Sequence, residues 1–242
     1  RFVVMALNTT NLTKFLKGIT DSIRAKTGST DPIKHEKIDE EISNIKTFND
    51  CANNIVKMLA HCDRITDFSN MFSIPELTDE TLNKISAVLD TSNGVQFMNM
   101  FDNCRLLTTI PPLDTSNGIQ VAYMFNNCEK LHTIKGQLSF KKHNDVLGYW
   151  NVFGNCKQLA NVRFVENSIP AYEPLELPTT TYNVFDIYYS PYLTNDSADS
   201  IIKGLCLNDT GYKLILRLHS DVIDKLTDEQ VSEVFTKKWF LG

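Results

Sequence analysis

Two places in this chain set reactive groups beside or in register with one another. His61 precedes Cys62, an order in which an imidazole could activate a thiol nucleophile. Asp90 and Asp114 recur in one local context, so their carboxylates could form a ladder, share a cation, or cap turns locally. Adjacent residues in an alternating coil point opposite ways, so the first pair reads as a surface imidazole next to a buried thiol. Asp, Thr, Ser and Asn all serve turn capping, which favours the local role for the carboxylates. The histidines His35, His61, His132, His143 and His219 are scattered, and no Cys-x-x-Cys pair offers a zinc site. There is no Gly-x-x-x-x-Gly-Lys phosphate loop and no Gly-x-Ser-x-Gly elbow. No residue is therefore assigned a catalytic, cofactor-binding or metal-binding role, and the expectation is a protein that is not an enzyme.

The elements that carry these groups are repeats. Leu89-Asp90-Thr91-Ser92-Asn93-Gly94 recurs as Leu113-Asp114-Thr115-Ser116-Asn117-Gly118, and Met100-Phe101-Asp102-Asn103-Cys104 recurs as Met124-Phe125-Asn126-Asn127-Cys128. Asn151-Val152-Phe153-Gly154-Asn155-Cys156 is a third copy, and Met58-Leu59-Ala60-His61-Cys62 a degenerate earlier one. Leu107 and Ile110, Leu131 and Ile134, Leu159 and Val162, and Ile65 and Phe68 follow the respective cysteines. A fixed short period means stacked units, each too small to bury its own apolar face. The expected repeat core is Phe101, Cys104, Leu107, Phe125, Cys128, Leu131, Phe153, Cys156 and Leu159. Asn93-Gly94 and Asn117-Gly118 read as turns that use positive φ. Pro111-Pro112 imposes an extended backbone and forbids helix. Four of the six cysteines hold one place in successive coils, so they are expected as buried free thiols, consistent with assembly in a reducing cytoplasm.

This pattern resembles the BspA-type leucine-rich repeats of bacterial surface proteins, most strongly over residues 89–134. The resemblance implies an α+β chain built on a right-handed solenoid of short strands and helical turns. It does not specify a ligand.

The N-terminal segment reads as two helices. Leu12, Phe15, Leu16, Ile19 and Ile23 make one apolar stripe; Ile38, Ile42 and Ile45 make a second, beyond the break at Thr27–Pro32. A hairpin this short is marginal alone and must dock on something. Ile19 to Ile33, followed by Ile38-Asp39-Glu40-Glu41-Ile42, is similar to a segment near the N-termini of bacteriophage tail and baseplate proteins. At the other end, Leu193 to Ser197 reads as a helix cap with Ile201, Ile202 and Leu205 behind it, and Tyr212 to His219 as a strand. Thr227 and Gln230 read as the capping box of a last helix whose Val231, Val234 and Phe235 face inward. The ending Leu226-Thr227-Asp228-Glu229-Gln230…Lys237-Lys238-Trp239 resembles endings of phage tail and fibre proteins with these repeats, except that Lys238 stands where glycine is usual. Between repeats and ending lie five tyrosines, Tyr172, Tyr182, Tyr188, Tyr189 and Tyr192. They read either as paving of a junction or as a recognition surface. Asn183-Val184-Phe185 echoes Asn151-Val152-Phe153 there.

The expected organisation is a helical attachment segment at 1–50, repeats at 51–168, a Pro/Tyr-rich junction at 169–192 and an α/β cap at 193–242. Net charge is −5, which argues against a nucleic-acid backbone as partner, and no apolar run has the length of about 20 residues a membrane span needs. Arg1 to Leu7 is short for a signal peptide and lacks a cleavage site; Met5 as a natural start and a chain that begins inside a longer one are both open. The resemblances imply a virion structural protein of a phage tail, baseplate or fibre. Its partners would be other virion proteins, copies of itself and a host cell-surface receptor, with no cofactor. A capsid fibre or decoration protein and a bacterial adhesin with the same repeats are the alternatives.

Overall fold

The computed structural model describes residues 65–142, 148–171 and 184–242. The N-terminal stripes (Leu12, Phe15, Leu16, Ile19, Ile23, Ile38, Ile42), Cys51, the His61-Cys62 pair, Tyr172 and Tyr182 lie outside the described residues. The described elements are α1 (Asp79–Ser86), β1 (Thr109–Ile110), β2 (Thr133–Ile134), β3 (Val184–Asp186), α2 (Asn195–Gly204), β4 (Leu214–Arg217), α3 (Ser220–Ile223), α4 (Asp228–Thr236) and β5 (Trp239–Leu241).

The repeats stack as short coils joined in parallel. Phe68 N–H bonds Gln96 O at 2.7 Å, Phe97 N–H bonds Gln120 O at 2.8 Å and Phe125 N–H bonds Val152 O at 2.9 Å, so each coil donates to the next. β1 pairs with β2 in parallel, Thr109 beside Thr133, and single bridges join Gln96 to both Asp67 and Gln120. Phe72, Phe101, Phe125 and Phe153 form a column with ring centroids 5.5, 5.8 and 5.7 Å apart, a spacing at which offset aromatic faces attract. Phe68 stacks on Phe97 in a second, shorter column. Phe68–Phe72 is thus a copy of Phe97–Phe101, a match the Met58–Cys62 alignment conceals.

Every expected core residue from Phe101 to Leu159 is fully buried. The cysteine at each turn donates its thiol to the carbonyl of the preceding coil's phenylalanine: Cys104 to Phe72 at 2.9 Å, Cys128 to Phe101 at 3.1 Å and Cys156 to Phe125 at 3.1 Å. These three and Cys206 are free thiols. The Leu-Asp-Thr-Ser-Asn segment is a connector. Asp90 and Asp114 accept from the backbone N–H of Ser92 and Ser116, while the buried Thr91 and Thr115 hydroxyls accept from Asp114 N–H and Ser139 N–H of the following coil.

The Asn-Gly turns need correction. Neither Gly94 nor Gly118 adopts positive φ; Asn99, Asn103, Asn127, Asn151 and Asn155 do, with φ of 49–61°. Gly94 is required instead by close approach, because a Cβ there would fall 2.2 Å from Phe97 Cζ. Helix α1, between Leu77 and Leu89, is an element the repeat period does not announce. Thr78 caps it, Leu82 and Ile85 enter the core, and Asp79 accepts from Thr108 N–H at 2.9 Å, tying the helix to β1.

The last residues form a parallel sheet, β3-β4-β5, with Val184 beside Ile215 and Ile215 beside Phe240. Helix α2 is capped by Thr194, and α4 by the Thr227/Gln230 capping box. Val234 and Trp239 are buried, but Phe235 is 54% exposed, because its position on α4 faces away from the sheet. Lys238 takes the left-handed conformation itself, with φ of 60°.

Candidate binding surface

The exposed tyrosines sit on a coil of the same form as the repeats. Ser190 N–H bonds Ile187 O at 3.1 Å and Leu193 N–H bonds Ser190 O at 3.4 Å, as Cys156 N–H bonds Phe153 O and Leu159 N–H bonds Cys156 O, each at 3.2 Å. Ile187, Ser190 and Leu193 are buried in the places of Phe153, Cys156 and Leu159. Ile187, not Phe185, is the counterpart of Phe153, so the Asn183-Val184-Phe185 echo is out of register. Ser190 meets the burial requirement by donating its hydroxyl to Cys156 O at 3.0 Å.

The positions between these anchors point outward. Earlier coils place Asp102-Asn103, Asn126-Asn127 and Gly154-Asn155 there, bound to each other across coils: Asn126 Nδ2 donates to Asp102 at 2.8 Å and Asn155 Nδ2 to Asn127 at 3.0 Å. This coil places Tyr188 and Tyr189 there, 46% exposed, with Tyr192 at 61%. Tyr188, Tyr189 and Tyr192 therefore reach solvent, while Tyr188 also packs against Arg217 and His219 of the C-terminal segment.

Strand pairing brings charge to them. Asp186 and Arg217 are register partners on β3 and β4, and the Arg217 guanidinium donates to the nearly buried Asp186 carboxylate, which also accepts from Tyr188 N–H. The hydrogen bond that Arg217 donates to Asp186 raises the guanidinium above its ordinary pKa, so this is a permanent cation. The guanidinium carbon lies 5.7 Å from the Tyr188 ring centroid, within cation–π reach. Tyr189 meets Tyr188 edge-on at 5.5 Å, and His219 lies beside it at 5.6 Å. His219 Nδ1 accepts from Asp221 N–H, so the 3.5 Å approach of the Asp221 carboxylate to that nitrogen is no ion pair in this tautomer. On the same outer face of the sheet, Val184, Ile215 and Phe240 are in register, and Lys213 Nζ stands 4.8 Å from the Phe240 ring.

Aromatic faces beside fixed cations supply contact area and orientation at low entropic cost. They supply no nucleophile, and among the described residues no three His, Cys, Asp or Glu side chains converge as a metal site. Cys206 is half-buried, and burial raises its pKa, which keeps the thiol protonated; its Sγ donates to Asn167 O at 2.9 Å. Sequence composition marked the tyrosines. Arg217, Asp186, Lys213, His219 and Phe240 were not marked, because only the pairing of distant strands assembles them. The available signal was Ile187-x-x-Ser190-x-x-Leu193, which keeps the Phe-x-x-Cys-x-x-Leu spacing with different residues. Compared with family models, curated proteins and solved structures, the chain matches none.

Proposed function

We propose that this chain is a non-enzymatic structural component of a bacteriophage virion, in the tail, baseplate or fibre. Its repeats would form a BspA-like leucine-rich-repeat solenoid, its N-terminal helices would attach it to the particle, and its outer face would bind a protein or host-surface partner. The observation that carries the binding role is the exposed Tyr188–Tyr189–Tyr192 group beside Arg217, on a coil whose counterparts carry asparagine. A ladder of side chains that satisfies itself between coils gives way to two rings, Tyr188 and Tyr189, with Tyr192 exposed beside them. Tyrosine and arginine are, with tryptophan, the residues enriched among the energetic anchors of protein interfaces. The virion assignment rests on the resemblance of Ile19–Ile42 and of the Leu226–Trp239 ending to phage tail proteins.

Immunogold electron microscopy of particles released from the producing culture tests the assignment. Gold at tail tips is the expected result. Gold on heads moves the chain to capsid decoration, and gold on cell surfaces with bare particles makes it a bacterial adhesin; either result overturns the tail reading. Particles carrying Tyr188→Ala with Tyr189→Ala should assemble normally and adsorb to host cells at least about tenfold more slowly, as expected when two interface anchors are truncated.

A further inference from the structure

The tyrosine surface is small and its charges are balanced. Tyr188 and Tyr189 are 46% exposed and Tyr192 61%. At about 150–250 Å² for a whole aromatic side chain, the three present on the order of 300 Å², short of the roughly 800 Å² per partner that a stable protein interface covers. The preceding coil extends this area little, because Asn155 is bonded to Asn127 and Lys157 is paired with Glu129. Arg217 is neutralised by Asp186, and the exposed Asp221 stands next to a His219 that is uncharged while its Nδ1 accepts from Asp221 N–H. An anionic partner would meet Asp221 and a cationic one Arg217, so neither finds an unopposed charge. Lys213 lies away from the rings, before β4 and beside Phe240.

What the surface offers is hydrogen-bonding capacity around rings. Arg217 gives Asp186 a bond from Nη2, and its other N–H groups have no partner among the described residues. Because His219 Nδ1 accepts, its proton sits on Nε2, which is a second donor. The phenol hydroxyls both donate and accept. Among the described residues no ring or cation packs against Tyr192, the most exposed of the three. We infer that the partner of this surface is an uncharged saccharide chain of the host cell surface, an inference that rests on the binding role proposed above. A pyranose ring lies on Tyr192, and hydroxyls of the chain accept from Arg217 and His219 beside Tyr188. The C–H bonds on one face of a pyranose are weakly positive and match the negative face of an aromatic ring. Vicinal hydroxyls match the planar fork of a guanidinium held in place by its carboxylate. A saccharide is narrow enough for the area available, and it needs no net charge.

The test is co-sedimentation of the full chain with host cell envelopes that are untreated, digested with protease, or oxidised with periodate, which cleaves vicinal diols. Protease-digested envelopes should bind the chain as untreated ones do, and periodate should abolish binding. Raising salt from about 0.1 to about 1 M should leave binding unchanged, because screening acts on charges. Tyr192→Ala and Arg217→Lys should each weaken binding about tenfold, the first by removing an exposed anchor and the second by removing the fork while keeping the charge. Tyr192→Ala leaves the Asp186 pair in place, so it decides the matter if Arg217→Lys disturbs the sheet. Binding that is lost with protease and survives periodate makes the partner a protein, and a steep loss with salt makes it a charged polymer; either overturns this inference and leaves the binding role standing. Binding that neither variant weakens, or no binding to untreated envelopes, overturns the binding role and the inference together.

Discussion

Replacing Gly94 by alanine separates two accounts of the repeated Asn-Gly. If the glycines serve positive φ, alanine should cost the same at Gly94 and Gly118. If they serve close approach, the costs should differ. A Cβ at Gly94 meets Phe97 Cζ at 2.2 Å and Cε2 at 2.8 Å, with Thr91 O at 2.9 Å; at Gly118 it meets Thr115 O at the same 2.9 Å but the Phe97 ring only at 3.1 and 3.3 Å. Phe97 cannot swing clear, being fully buried and stacked on Phe68 at 5.3 Å. Overpacking a closed core costs about 1–3 kcal/mol, and the lost freedom of glycine in the unfolded chain returns about 0.4–1 kcal/mol. Gly94→Ala should therefore destabilise by about 2 kcal/mol and Gly118→Ala by less than about 1 kcal/mol. At about 2–4 °C per kcal/mol for a chain of this size, Tm should fall by about 4–8 °C in the first and by about 2 °C in the second. Unfolding followed through Trp150 and Trp239 fluorescence measures both. In a Phe97→Leu background the cost of Gly94→Ala should shrink by about 1 kcal/mol or more. Equal losses at the two glycines, or strictly additive losses in the double variant, would refute the steric account.

Burial pushes the Cys156 thiol from 9.0 up to about 12, and the neighbouring Cys104 thiol, together with burial, raises Cys128 well above its ordinary value. A raised thiol pKa leaves stability intact below pH 9.0 and removes it from there up to about 12, at about 1.4 kcal/mol per pH unit for the thiol. Urea unfolding of wild type and Cys156→Ala across this window should show the steeper alkaline loss in the wild type; identical slopes would sink the argument. Cys128→Ser should cost only about 1 kcal/mol, because Phe101 O waits at 3.1 Å for the new hydroxyl, whereas a loss above about 3 kcal/mol would mean the donor goes unsatisfied. Deleting residues 1–48 should leave the repeats folded and abolish incorporation into particles; normal incorporation would remove the attachment role from that segment.

The core was legible because its anchors keep both type and spacing. Phenylalanine, cysteine and leucine three residues apart bury together in a tight coil, and those from Phe101 to Leu159 do so. The coil at Ile187–Leu193 escaped because two anchors changed chemistry at once, an aromatic to an aliphatic and a thiol to a hydroxyl, although the geometry tolerates both. The glycines misled for a different reason. Glycine suits positive φ and close approach equally, and only the position of the Phe97 ring tells which applies. Composition exposed half of the candidate surface, the tyrosines. The cation beside them, Arg217, arrives through parallel pairing between β3 and β4, and no local pattern in the sequence carries that pairing.

Backbone strain at two positions joins the repeat to its ending. Asn70, Asn99 and Asn151 stand two residues before Phe72, Phe101 and Phe153 with φ of 60, 56 and 49°; the same place before Phe125 holds Tyr123 at 58°. Asparagine accepts this conformation readily, while other side chains lose about 1–2 kcal/mol to the crowding of Cβ. Tyr123 recovers about that much by stacking on Trp150 at 6.1 Å, so Tyr123→Asn should be close to neutral, and stabilising once Trp150→Ala has removed the partner. Lys238, at 60°, has no such ring partner among the described residues. Lys238→Gly relieves the Cβ and returns part of the gain to the unfolded chain, for a net stabilisation of about 0.5–1 kcal/mol, or a Tm higher by about 2 °C. A destabilising Lys238→Gly would show that the lysine holds its turn by contacts worth more than the strain.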